Sequence, residues 1–121
     1  MGYDIHITRR VHWSDEGDPA ITLDEWRTVV ENDPELVGLP PTKENPLVAM
    51  MLSPHKERKA ARYFRYSSGE IFVSKPCKAV VLKMLEVARS LNARVIGDED
   101  EVYSEDGAPC QPSSYTVDDS W

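Results

Sequence analysis

The spacing of apolar residues changes period along this chain, and that change limits the fold more than any other feature. Tyr3, Ile5 and Ile7 alternate with Asp4, His6 and Thr8, the two-residue period of a strand with one buried face. His6 then shares the solvent-facing side with Asp4 and Thr8. Leu23, Trp26, Val29 and Val30 recur at helical spacing, and so do Val80, Val81, Met84, Leu85, Val87, Ala88 and Leu91. Between the helices lie Leu47 to Leu52, whose unbroken apolar character suggests a strand buried on both faces or centrally placed. A β-rich pair, 60–66 and 70–74, follows around Ser67-Ser68-Gly69. The order β-α-β-β-β-α-β predicts an α+β domain, with an antiparallel sheet of about four to six strands and two helices packed on one face.

Local signals sharpen the boundaries. Thr22-Leu23-Asp24-Glu25 is a capping box, which starts the first helix and lets it run to Asn32 or Asp33-Pro34. Residues 34–46 hold four prolines and one glycine, and read as a loop. Pro76 suits the first turn of the second helix, and Asn92 suits a left-handed cap at its end. On that helix Lys78, Lys83, Glu86 and Arg89 fall away from the apolar face. Val95-Ile96 and Val102-Tyr103 bracket an acidic turn, as in a last short hairpin. The pattern fades after Ser104, so 1–104 reads as the domain and 105–121 as an acidic C-terminal tail.

Charge is unevenly placed. The net charge of -7 over 121 residues divides into a near-neutral 1–94, with all 14 basic and 13 acidic side chains, and 95–121, with 8 acidic and no basic ones. Phosphates attract clustered Lys and Arg, so this balance disfavours a nucleic-acid partner. Lys56, Arg58, Lys59, Arg62 and Arg65, interleaved with Tyr63, Phe64 and Tyr66, form the one stretch of nucleic-acid character, without a ribonucleoprotein signature. No apolar run reaches the roughly 20 residues needed to cross a bilayer, and the start lacks the charged and apolar regions of a secretory signal. Cys77 and Cys110, far apart in sequence, read as reduced thiols of a cytoplasmic protein.

Chemistry-bearing patterns are sparse. An EF-hand loop counted from Asp98 fails at Val102, Tyr103 and Pro109. His6, His12, His55, Cys77 and Cys110 include no compact metal-binding pair, so neither metal nor other cofactor is expected. There is no glycine-rich phosphate loop, no GxSxG and no HExxH. A set of Cys77, His6 and Asp4 is the one imaginable catalytic arrangement, with Cys77 at a helix start that favours a thiolate.

Tyr3-Asp4-Ile5-His6-Ile7-Thr8-Arg9 with Trp13, then Ile21-Thr22-Leu23-Asp24-Glu25-Trp26, resembles a group of small uncharacterised bacterial proteins. The stretch from Lys83-Met84 through Leu91-Asn92-Ala93-Arg94-Val95-Ile96-Gly97-Asp98 to Glu101-Val102-Tyr103 resembles the same group. By size, acidity and α+β make-up the chain is similar to immunity proteins of polymorphic-toxin systems. That similarity implies a non-enzymatic protein whose carboxylates face the basic cleft of a cognate toxin. The residues it selects are Asp98, Glu99, Asp100, Glu101, Glu105 and Asp106, with Tyr115 and Trp121 as aromatic anchors. The alternative is a small enzyme or ligand-binding domain with a cleft around Asp4 and His6.

Overall fold

The computed structural model describes residues 3–15, 17–40, 43, 47–51 and 63–117. Its strands are β1 (Asp4–Thr8), β2 (Leu36–Gly38), β3 (Val48–Met51), β4 (Tyr63–Ser67), β5 (Glu70–Ser74) and β6 (Arg94–Gly97), and its helices are α1 (Leu23–Asn32) and α2 (Lys78–Ser90). The strands form one antiparallel sheet in the order β2-β3-β4-β5-β1-β6. The expected α+β class and the packing of both helices on one face are present.

Period explains that packing. Leu36, Ala49, Met51, Phe64, Ile71, Val73, Ile5, Ile7 and Val95 stand on one face of the sheet and join a core with Trp26 and Val30 of α1 and Val80, Val81, Met84, Val87 and Ala88 of α2. Fully burying an apolar side chain of this size stabilises by roughly 1.5–3 kcal/mol, so this single face holds the two layers together. The capping box of α1 is formed: Glu25 N–H donates to Thr22 Oγ1 at 3.1 Å, and Thr22 N–H donates to Glu25 Oε1 at 3.0 Å. In the β4–β5 hairpin Ser68 and Gly69 both have positive φ, 53° and 84°, as a two-residue type I′ turn requires. Asn92 ends α2 in the left-handed region, φ 52°.

Four expectations are corrected. The proline-rich stretch contains a strand after all: β2 pairs Leu36 with Met51 and Gly38 with Ala49. Pro34 and Pro40 flank it, and an edge strand needs ladder bonds on one side alone. β3 is buried alternately rather than on both faces, and of the two readings offered for it the interior position holds, since it lies between β2 and β4. Pro76 precedes the N-cap Cys77 instead of lying in the first turn of α2. Lys83 is buried, 3% exposed, because Asp33, Glu35 and Glu86 surround its ammonium at 2.6, 2.7 and 3.5 Å. Burial pushes the Lys83 pKa down, yet the bonds to Asp33 and Glu35 outweigh it, and the group stays raised.

Candidate functional site

β1 lies between β5 and β6, with one face on the helices and the other covered at His6 by Trp13 and Asp98, so His6 does not face solvent as expected. His6 is 3% exposed and Thr8 is fully buried. On the face away from the helices, His6 opposes Phe72, and Glu70 stands diagonally across on β5. The β6 hairpin brings Asp98 over the same ring from the other side. Nδ1–H of His6 donates to Glu70 Oε1 and Nε2–H to Asp98 Oδ1, each at 2.7 Å. Ionised carboxylates only accept, so filling both bonds requires a proton on each ring nitrogen.

The surroundings fix this arrangement. Trp13 stacks on the imidazole, with centroids 4.4 Å apart and planes 9° apart, and its indole N–H donates to the Asp98 carbonyl at 3.0 Å. Asp98 Oδ2 accepts from the Asp4 backbone N–H at 2.9 Å, and Asp4 Oδ1 accepts from Ser74 Oγ at 2.7 Å. Burial pushes the His6 pKa down, but the hydrogen bonds and charges of Glu70 and Asp98 prevail and hold it above 6.5. With both nitrogens engaged, His6 offers no lone pair to a substrate. Cys77 faces the other way, fully buried in the core with Ile5 and Ile7. The imagined Cys77–His6–Asp4 set is therefore not assembled.

A cleft of about 330 Å³ opens beside His6, lined by Asp4, Asp15 and Glu70, by Trp13 and Phe72, and by Arg10 and the turn serines Ser67 and Ser68. Arg10 is already engaged, donating from Nε to the Gly17 carbonyl and from Nη1 to the Ser68 carbonyl. Among the described residues no group of three His, Cys, Asp or Glu side chains could hold a metal ion.

The acidic run that stood out in the sequence is divided by the fold. Glu101 points inward, 1% exposed, and accepts from the hydroxyls of Tyr3 at 2.5 Å, Ser113 at 2.8 Å and Tyr103 at 2.9 Å. Burial pushes its carboxyl up, but these hydroxyls bring it below the usual glutamate range, while Tyr3 is itself raised to about 12 by burial and by this carboxylate. It belongs to the interior and not to a docking surface. Glu99 is exposed but holds the Ser114 backbone N–H and hydroxyl at 2.9 and 2.6 Å. Asp100 is exposed and lies 3.3 Å from His12 Nδ1. Asp106 closes its own turn onto Ser104 and the Ala108 N–H, and Glu105 is exposed by Val102 and Tyr103.

Residues 105–117 lie against the body. Tyr115 stacks on Tyr3 with centroids 5.0 Å apart, and its hydroxyl donates to the Pro76 carbonyl at 2.8 Å. Trp121 lies outside the described residues, as do Lys56, Arg58, Lys59 and Arg62 of the basic stretch. Phe64 and Tyr66 of that stretch turn to the core side, leaving Arg65 over the Tyr63 ring at 5.8 Å.

Comparison of the chain with protein-family models, with curated proteins and with solved structures finds no match. The site therefore stands on its geometry. No helix among the described residues is long and apolar enough to cross a membrane. Sequence reasoning gave no site role to Glu70 or Trp13. For Glu70 a signal existed: once β1 and β5 are paired, the alternation of Glu70, Phe72 and Ser74 puts Glu70 on the His6 side.

Proposed function

We propose that this chain is a binding protein whose acidic face receives a basic protein partner, most specifically an immunity-type inhibitor of a cognate toxin. The observation that carries this reading is the gathering of Asp4, Asp15 and Glu70 from separate segments around one cleft, next to a turn that adds Asp98, bonded to His6, and Asp100, beside His12. Carboxylates collected in this way attract and orient a cationic surface more than they add raw affinity. The rigid setting supports the same reading, since Trp13, Asp4 and His6 all tie the Asp98 turn to the sheet. The engagement of both His6 nitrogens favours binding over proton-transfer catalysis. The resemblance to immunity proteins supplies the class of partner, and a cytoplasmic location goes with it.

The test is affinity capture by the full chain from its source organism, followed by titration of the recovered partner at low and high salt. A basic partner is expected, bound more weakly as salt rises. The exposed pair Asp15→Asn and Asp100→Asn should weaken it by about tenfold, a typical effect for surface charges that steer association. A partner without basic character, or binding indifferent to salt and to both changes, would contradict the proposal.

A further inference from the structure

Among the described residues, Glu70 is the one buried side chain in the His6 cleft that has an oxygen left without a partner. Its Oε1 accepts from His6, but its Oε2 is buried without a hydrogen-bond partner among the described residues, in a side chain 9% exposed. Leaving a buried acceptor unpaired costs about 1–3 kcal/mol, and more for a charged group. The cations already present do not supply that bond. The two His6 protons go to Glu70 Oε1 and Asp98 Oδ1, and Arg10 is turned to the carbonyls of Gly17 and Ser68. Asp4 adds a second carboxylate to the cleft, with Oδ1 bonded to Ser74 and Oδ2 without a partner among the described residues. Trp13 and Phe72 add aromatic rings, and the cleft volume of about 330 Å³ has room for one planar group on a short stem.

We propose that the cleft beside His6 is a guanidinium site, which takes one arginine side chain of the basic partner and pairs it with Glu70 and Asp4. Arginine fits better than lysine for two reasons. Its planar fork presents several donors to fixed carboxylate acceptors, and its flat face stacks on aromatic rings. A lysine ammonium, compact and strongly hydrated, uses neither the rings nor the fork. The assignment rests on the basic-partner reading above and adds where the partner's central side chain would enter.

The probe is N-ethylguanidinium chloride, titrated into the full chain and followed by amide and indole NMR, with sodium chloride at matched ionic strength as the control. Saturable shifts are expected at the Trp13 indole and at the amides of Ser67, Ser68 and Phe72, with N-ethylammonium binding more weakly. Glu70→Gln should raise the dissociation constant by about tenfold, as losing a charge-assisted bond does. Asp4→Asn leaves both His6 bonds in place, so it provides the second variant if Glu70→Gln unfolds; it should weaken binding about threefold. Shifts that stay linear to roughly 50 mM, where a millimolar site would be filled, would overturn the assignment. So would equal binding by the folded variants. Either result removes the guanidinium site alone, because the wider partner surface is judged separately with the whole partner protein and its salt dependence.

Discussion

Gly97 and Glu101 are fitted to each other. The buried Glu101 carboxylate occupies the space that a Cβ on Gly97 would fill, so the last strand has to carry a glycine there although its φ does not demand one. Hydroxyls of Tyr3, Tyr103 and Ser113 pin that carboxylate, which prevents a simple rotation out of the way.

Gly97→Ala should therefore displace the carboxylate and break its hydrogen bonds. A loss of about 2–4 kcal/mol is expected, the range for disrupting a buried polar network. Denaturant unfolding of the variant beside the parent checks it. A change within about 0.5 kcal/mol, ordinary for a neutral surface site, would mean that Glu101 is free to move.

His6 and Glu101, both buried, act at opposite ends of the pH scale. The folded pKa of His6 is raised, so its contribution to stability is fully present below the unfolded value and is lost as pH rises through the folded value. The folded pKa of Glu101 is lowered, so its contribution is present above the unfolded value and is lost as pH falls through the folded value. Stability measured from about pH 3 to pH 9 should decline at both ends. The alkaline decline is expected to disappear in His6→Gln, and the acidic one to shrink in Glu101→Gln.

How much of this was legible in the sequence depended on how far apart the cooperating residues are. The capping box at Thr22 and Glu25, the turn at Ser68-Gly69 and the left-handed Asn92 are local devices, and local sequence describes them completely. The strand period at 3–8 was legible as well, but it identified the wrong environment for His6. Alternation marks which residues share a face; it does not say whether the second face is covered. That cover comes from Trp13 and from Asp98, 92 positions away from His6. Acidic residues were equally ambiguous, because a carboxylate in a charge run looks the same whether solvent or three hydroxyls receive it. Glu101 is the clear case.

Lys83 tests a buried ion cluster. Its ammonium is enclosed, but Glu35 and Glu86 remain more than half exposed and can rehydrate when it is gone. Lys83→Met keeps the apolar stem but leaves Asp33, 15% exposed, without its cation, and should cost about 3 kcal/mol, since removing one partner of a buried pair leaves a charge uncompensated. Lys83→Ala also removes the stem packing and should cost about 1–2 kcal/mol more. Thermal unfolding of the pair measures the difference, and equal losses would show that charge and not packing fixes Lys83.

Tyr115 holds the terminal segment to the body through its stack on Tyr3 and its bond to Pro76. Tyr115→Ala should cost about 1–2 kcal/mol through the lost aromatic contact and hydrogen bond. Amide exchange should accelerate across 105–117 before it does in the sheet. Exchange unchanged in that segment would show that Tyr115 is not its fastening.

The most direct measurement of the central arrangement is the ring nitrogen NMR titration of His6. A histidine locked between Glu70 and Asp98 should carry protons on both nitrogens at pH 6.5 and titrate with a midpoint above that value. A neutral single tautomer at pH 6.5, with one nitrogen free to accept, would contradict it and return His6 to the role of a candidate general base.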